Sequence, residues 1–346
     1  MEQAKQSESM PRSTAEPAVP STAELPGASA GAGKLRGSDK AAVQVTETVQ
    51  TGGKRRLQFR KMHGIGNDYI FINCFAQKIS PEQASALAKK LSRRRFSVGA
   101  DGLVLIERSE IADARMRIFN ADGSEGEICG TALRCVGKYL YEEGLFSGGH
   151  LTVETLAGVR EMTLEAACGK EAFFRVHMGR VSTAPAALPM LSAAPMIGAP
   201  LLVGGTTYHV TCLSIGNPHC VCFVETPALL AQESLDLPRW GPLFEHHACF
   251  PARVNTEFVC PMGRREMCMR VWERGSGETY ACGSGACAAV AAGVLNGYCD
   301  KNQPVTVHLR GGDLEITVSG DFSVWMKGPA ETVYDGVIDW EDDNAD

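Results

Sequence analysis

The stretch EICGTALRC, beginning at Glu127, is echoed by YACGSGACA, beginning at Tyr280. With Arg117 set on Arg270 and no gaps, RIFNADGSEGEICGT lies over RVWERGSGETYACGS. An arginine, an aromatic-apolar pair, an acid ahead of the cysteine (Glu125, Glu278), the cysteine, a glycine and a small hydroxyl residue all coincide. Upstream, GIGNDYIFI lies over SIGNPHCVCFV at nearly the same offset. Shared Cys, Gly, Asn and Arg are not interchangeable apolar filler, so the chain reads as an internal duplication. Two related domains about a pseudo-twofold axis follow, and whatever one half builds the other must build again.

The elements of each half are legible from period and punctuation. LQFRKMHGIGNDYIFINC alternates around a Gly-Ile-Gly turn and reads as strand, tight turn, strand. SPEQASALAKKLSRRRF has Ser80 as N-cap and Pro81 in the first turn, so a helix is expected there. GLVLIE, ARMRIFN, GHLTVETLAG and FFRVHMG read as strands, interrupted by one helix after Cys129. In the second half YHVTCLSIGNPHCVCFVE, NTEFVC, EMCMRVWE, VTVHLRGG, LEITVSG and SVWMKGP do the same, with one helix after Cys282. TAPAALPMLSAAPMIGAP joins the halves as a Pro/Ala-rich connection. The expected fold is α/β: two pseudo-symmetric domains, each a curved, mainly antiparallel sheet around a central helix.

Composition sets the limits. Residues 1–56 hold no aromatic and no isoleucine, cannot bury a core, and read as a disordered extension. Its six acidic residues and lack of an apolar run argue against a signal or transit peptide. Its GASAGAGK misses the phosphate-loop spacing, and Leu35 follows the lysine. Domains are expected at 57–180, completed by about 329–340, and at 181–328, with 341–346 a tail. A net charge of −6 gives no basic footprint for nucleic acid, and no span is apolar enough for a membrane, so a small polar metabolite is the expected partner. The 13 cysteines lack zinc-type spacing, which points to reduced thiols in a cytoplasmic setting and to no metal. Cys220 and Cys222 alternate as in a strand, and His246–His247 is the one remaining metal-like pair.

Each repeated cysteine precedes a run of helical character, so each sulfur is expected at a helix N-terminus. Free N–H groups and the helix dipole there lower a thiol's pKa and form an anion site. Two such termini brought face to face could remove a proton from one face of a carbon and deliver one to the other. Carboxylate charge growing toward an enediolate would meet the N–H groups of both helices. The competing reading, two buried structural thiols, is the usual fate of a lone cysteine. The duplicated Gly-hydroxyl context favours the acid/base pair.

These residues carry a family resemblance. In KMHGIGNDY, IFNADGSE, CG followed by RC, GNPHC, ERGSGET, ACGSGACAA and the terminal VYDG, the chain from about Leu57 to Trp340 resembles diaminopimelate epimerase. The resemblance implies a cofactor-independent isomerase that inverts L,L-diaminopimelate to the meso form in lysine and peptidoglycan precursor synthesis. Cys129 and Cys282 would be the acid/base pair, with His219 and Glu273 tuning them. The α-carboxylate would rest on Gly130, Thr131, Gly283 and Ser284. The distal amino acid group would be read by Arg274 with Asn67, Asn120, Asn217 and Asn255, and Glu273 would also face the substrate. Tyr334 matches a dimerisation position, so a homodimer is expected.

Two departures stand out. Cys-Gly-Thr-Ala replaces the family's usual Cys-Gly-Asn-Gly, so Ala132 would be strained if its backbone were left-handed. Gly102 stands where some relatives carry Gln, which would remove a side-chain contact. The alternative reading is a two-cysteine racemase for a histidine, proline or lanthionine type of substrate.

Overall fold

The computed structural model describes residues 54–231 and 234–341. The extension expected over 1–56 lies outside these residues except at its end, where Lys54 already opens a strand. That strand begins earlier than the expected boundary at Leu57 because its backbone pairs with the chain's last strand, a partner invisible in the local Lys-Arg-Arg sequence.

The first half runs β1 (Lys54–Gly64), β2 (Asn67–Asn73), α1 (Pro81–Leu91), β3 (Gly102–Glu107), β4 (Ala114–Asn120), β5 (Glu125–Gly126), α2 (Gly130–Glu142), β6 (His150–Thr155), β7 (Gly158–Cys168) and β8 (Glu171–Arg180). The second runs β9 (Ala199–Val203), β10 (Thr206–Ser214), β11 (Pro218–Phe223), α3 (Leu237–Glu245), β12 (Asn255–Gly263), β13 (Glu266–Glu273), β14 (Gly277–Glu278), α4 (Gly283–Leu295), β15 (Pro304–Leu309), β16 (Gly312–Val318) and β17 (Ser323–Glu341). Strands β7 and β9 and helix α3 were not expected from sequence. Pro242 inside α3 reads as a helix breaker, whereas Asp236 caps the helix and Pro238 suits its first turn.

The duplication is written in the pairing. β1–β2 are antiparallel, β2 lies parallel to β3, β4 returns antiparallel and carries the short β5, and β6 runs parallel to β4. β10–β11, β11 with β12, β13, β14 and β15 repeat that sequence of relations. The matched arginines do the same work in each copy. Arg117 Nε donates to Glu125 Oε1 at 2.7 Å, and Arg270 Nε to Glu278 Oε1 at 2.9 Å.

Strands β1, β2, β3, β4, β6, β7, β8 and β17 follow one another round a closed ring that returns to β1. In the second half β10, β11, β12, β13, β15, β16 and β17 form the ring, which the continuation of β8 closes where Ser182 pairs with Ser214. β17 thus serves both domains: it pairs with β8 from Ser323 to Glu331 and with β1 from Glu331 to Glu341.

Each ring wraps one helix. α4 is apolar all round (GSGACAAVAAGVL) and Gly285–Gly293 is buried, as a fully enclosed helix requires. α2 is buried from Gly130 to Leu140 although it carries Arg134 and Lys138, and Lys138 pairs with Glu142 one turn on. Outside the first ring packs α1, started by a full capping box in which Gln83 N–H donates to Ser80 Oγ and the Gln83 side chain accepts from Ser80 N–H. Outside the second packs α3, around Phe244, Phe250 and Phe258. Among the described residues no helix is long and apolar enough to cross a membrane.

Candidate active site

Both repeated cysteines are the N-cap residues of their barrel helices, with extended backbone at φ −142° (Cys129) and φ −130° (Cys282). The Cys129 thiol faces Asn67 Oδ1 at 3.6 Å. Asn67 is held in that orientation from behind, because its Nδ2 donates to Asp101 Oδ2 at 2.9 Å. Arg94 in turn donates to Asp101 Oδ1 at 2.8 Å and pairs with Asp68, which the buried Lys61 also reaches. Tyr69 completes this side. Its hydroxyl interacts with both Cys129 and Asn67, and burial, with the Cys129 sulfur next, pushes it well above the ordinary tyrosine range, so it stays a neutral donor.

The second cysteine is more enclosed. Gly285 N–H donates to Cys282 Sγ at 3.3 Å, and Ser284 Oγ lies 3.6 Å from the sulfur. Asn217 Nδ2 donates to Ser284 Oγ at 3.3 Å, and its Oδ1 meets His219 Nε2 at 3.0 Å. His219 is fully buried and its Nδ1 lies 2.7 Å from Glu257 Oε1. Glu273, at the end of β13, contacts Thr279 and Cys282; burial raises its carboxyl above the usual range. Glu257 is raised by burial as well.

The expectation that helix termini lower these thiols is overturned. Burial raises Cys129, and the Ala132 and Thr131 N–H groups and the Tyr69 hydroxyl pull it back without reversing the sign. Burial lifts Cys282 well above its ordinary value, and the Glu273 and Glu257 carboxylates lift it further. Desolvation of the charged form outweighs a few N–H dipoles.

Register makes the two clusters equivalent. Tyr69 pairs with Gly102 and Gly102 with Asn120; His219 pairs with Asn255, which opens β12 one step beyond the Thr256–Trp272 pair, at the level of Glu273. Tyr69 therefore stands where His219 does, Gly102 where Asn255 does, and Asn120 where Glu273 does. The matched residues of the first cluster, Tyr69, Gly102 and Asn120, are uncharged, whereas the second cluster holds two carboxyls and a histidine. Both helix N-termini abut one side chain: a Cβ at Gly130 would lie 2.4 Å from Met326 Cε, and one at Gly283 would lie 3.0 Å from Met326 Sδ.

Other residues expected from sequence fall around this pair. Asn255 is buried, donates to Pro218 O at 2.8 Å and accepts from Arg274 N–H at 2.9 Å. Arg274 is exposed, with Nη1 donating to Ala252 O at 3.3 Å. Asn120 is at the exposed end of β4, donating to Ser124 Oγ at 3.0 Å. Thr131 turns its hydroxyl inward to Arg134, and Ala132 lies within α2 without left-handed backbone, so the anticipated strain is absent. At Gly102 an added Cβ would stand 2.3 Å from Phe119 O and 3.1 Å from Tyr69 Cε1, so the Phe119 carbonyl bars a side chain on this backbone and the Tyr69 ring fills the space beside it. Tyr334 lies apart, exposed on β17 beside Val333 and Val337, with its ring edge-on to Phe59. His247 of the metal-like pair is engaged by Leu202 O at 3.1 Å and by Cys249 N–H at 3.1 Å. Sequence reasoning missed Tyr69, Asp101, Glu257, Arg134 and Met326. Tyr69 and Glu257 were findable, each two residues beyond a selected asparagine on the same strand face.

Comparison with known proteins gives the family and the fold. The diaminopimelate epimerase family pattern matches residues 59–184 and 211–333. A diaminopimelate epimerase of Pelotomaculum thermopropionicum is 49% identical over 281 residues, covering 81% of this chain and 98% of the relative. That of Acetivibrio thermocellus is 46% identical over 285 residues, covering 82% and 99%. Among solved structures, a hydroxyproline epimerase of Agrobacterium vitis superposes with TM-score 0.61 at 14% identity, covering 83% of this chain and 94% of its own. A phenazine biosynthesis protein of the PhzF family from Bacillus anthracis gives TM-score 0.59 at 17% identity, covering 82% and 99%.

Proposed function

This chain belongs to the diaminopimelate epimerase family and is an isomerase of amino acids, and we propose that it inverts L,L-diaminopimelate to the meso form with Cys129 and Cys282 as the acid/base pair. The observation that carries this reading is the meeting of two cysteine-capped helix N-termini across Met326. In one direction Cys129 takes the α-proton: the C–H bond breaks, an S–H bond forms, and the electron pair passes into the carboxylate as an enediolate. Cys282 then gives its proton to the opposite face and is left as thiolate. The reverse reaction exchanges the roles.

Electrostatics support Cys129 as the thiol that ionises first, since Cys282 has Glu273 and Glu257 as neighbours and Cys129 has the neutral Tyr69 and Asn67. Glu273 beside Cys282 tunes that thiol: its carboxylate keeps the proton on the sulfur until the carbon accepts it. The N–H groups at Gly130, Thr131, Gly283 and Ser284 suit the α-carboxylate and meet the charge that grows there. The exposed Arg274, with its backbone fixed by Asn255, suits a distal carboxylate. Supply of meso-diaminopimelate would serve lysine and peptidoglycan precursor synthesis in the cytoplasm, with the chain acting as a homodimer through the exposed Tyr334 of β17.

The test is exchange of the α-hydrogen in heavy water for L,L-diaminopimelate beside a panel of monocarboxylic amino acids, histidine and proline among them. Rapid exchange and epimerisation of diaminopimelate alone is expected. Faster turnover of a monocarboxylic substrate would replace this reading with a racemase of the same chemistry.

A further inference from the structure

Arg134 projects from α2 into the interior of the first ring and is fully buried. Its Nε donates to Pro329 O at 3.0 Å, one terminal nitrogen to Thr131 Oγ1 at 3.4 Å, and the other approaches Met326 Sδ at 3.5 Å. The planar group fits between two residues without side chains. A Cβ at Gly64 would stand 2.7 Å from Arg134 Nη2, and one at Gly328 would stand 3.3 Å from its Cζ. Among the described residues no carboxylate pairs with this guanidinium, and its titratable neighbours are the thiols Cys129, Cys135 and Cys287, each held in its neutral form by burial. A buried cation without a counter-ion is costly, and a fold keeps one where an anion is to be met.

The contacts of Arg134 aim it at such an anion. Thr131 follows Gly130 in the first turn of α2, and Met326 lies against both Gly130 and Gly283. We propose that Arg134 is the resident counter-charge of the site: a positioning residue that braces the first turn of α2 through Thr131 and Met326 and supplies the fixed positive charge faced by the Cys129 thiolate and the bound carboxylate. The brace depends on this chain's own threonine at a position where the family usually has asparagine. Tyr69 and Asn67 from β2 face Cys129, with Asp101 behind Asn67, while Arg134 and Cys135, further along α2, act on it through their field. Arg134 is the cation of that set.

The inference rests on the two-thiol reading of the site, but its test needs no substrate. The full chain is alkylated with iodoacetamide across a pH series, and modification of Cys129 and Cys282 is followed separately by peptide mass spectrometry. For Arg134→Met the half-maximal pH at Cys129 should rise by about one unit, which is roughly tenfold slower modification below that point. Arg134→Lys, which keeps the charge, should stay close to the parent, and Cys282 should move less than Cys129. A folded Arg134→Met chain with an unmoved Cys129 profile, or a Lys variant displaced as far as the Met variant, overturns the proposal. Arg134→Gln carries the same comparison should the Met variant fail to fold by circular dichroism. An unmoved profile leaves the two-thiol reading intact, whereas absence of epimerase activity in the parent leaves the alkylation result intact.

Discussion

Replacing Gly311 by alanine tests how the two halves are held together beside the site. The tip of the β1–β2 hairpin, Ile65 and Gly66, has φ of 49° and 84°, the pair of positive values that a tight two-residue hairpin turn needs. Ile65 is a β-branched residue in left-handed backbone, a strained choice. It is buried against the β15–β16 turn of the other domain: a Cβ on Gly311 would lie 1.8 Å from Ile65 O and 2.7 Å from Ile65 C. Both are backbone atoms, so no side chain can swing aside. An ordinary carbon–oxygen contact is about 3.3 Å, so the tip must retreat by roughly 1.5 Å. It leads directly into Asn67, the partner of Cys129, while Gly311 N–H is bound to Tyr280 O at 3.0 Å, just ahead of Cys282.

A shift of about 1 Å in a reacting group can cost on the order of a hundredfold in rate. Overpacking of this kind costs about 1–3 kcal/mol of stability, which lowers the melting temperature by about 2–12 °C at the scale of a domain this large. Gly263→Ala is the control, since nothing lies within 4 Å of the added carbon and its φ is ordinary. Steady-state kcat/KM from α-hydrogen exchange and thermal unfolding by circular dichroism read the two effects. A Gly311→Ala chain with parental kcat/KM and melting temperature would refute the claim that this contact sets the position of Asn67.

Other outcomes follow from the same geometry. Cys129→Ala and Cys282→Ala should each lower epimerisation by at least a thousandfold with unchanged circular dichroism; full turnover by either would end the two-base reading. Because burial raises both thiols, the folded state holds their protons more tightly than the unfolded chain, so this contribution to stability is complete below the ordinary thiol pKa of about 8.5 and is lost as pH rises through the folded values. Melting temperature should therefore fall above about pH 8.5, and less steeply in Cys282→Ala. Treatment with diamide should link Cys129 to Cys282 and abolish activity, and tryptic mass spectrometry of inactive protein lacking that link counts against convergence of the sulfurs. Tyr334→Asp should leave a monomer by light scattering if the Tyr334 face of β17 joins two copies; an unchanged mass places the interface elsewhere.

The fold was legible where residues repeat under constraint. Arg117 and Arg270, with their partners Glu125 and Glu278, recur because each copy must fasten the same short hairpin ahead of its cysteine. Helix α3 was hidden by Pro242, and β7 by its adjacent Arg160–Glu161 and its Ala166–Ala167 on a largely exposed strand, which break the apolar alternation. Asn67 and Asn217 stand out because each follows a glycine turn, whereas nothing in the sequence singles out Tyr69 beside Asn67, since a tyrosine on a strand is ordinary packing. Arg134 was out of reach, because a charged residue on a helix reads as solvent-facing and only closure of the ring encloses it. The sign of the thiol shifts was illegible for the same reason: a sequence reveals a helix start, not how much water is removed from it.

The 19 residues of β17 come last among the strands, yet they form the seam of the first ring as well as a wall of the second. A ribosome that has released β1 to β8 has delivered every other strand of the first barrel and still cannot shut it. Until β17 is made, Arg134 on α2 lacks Pro329 and Met326, two of its three partners. Maturation of both halves is thus postponed to one closing event, and a chain that stops short of β17 forfeits the two barrels together.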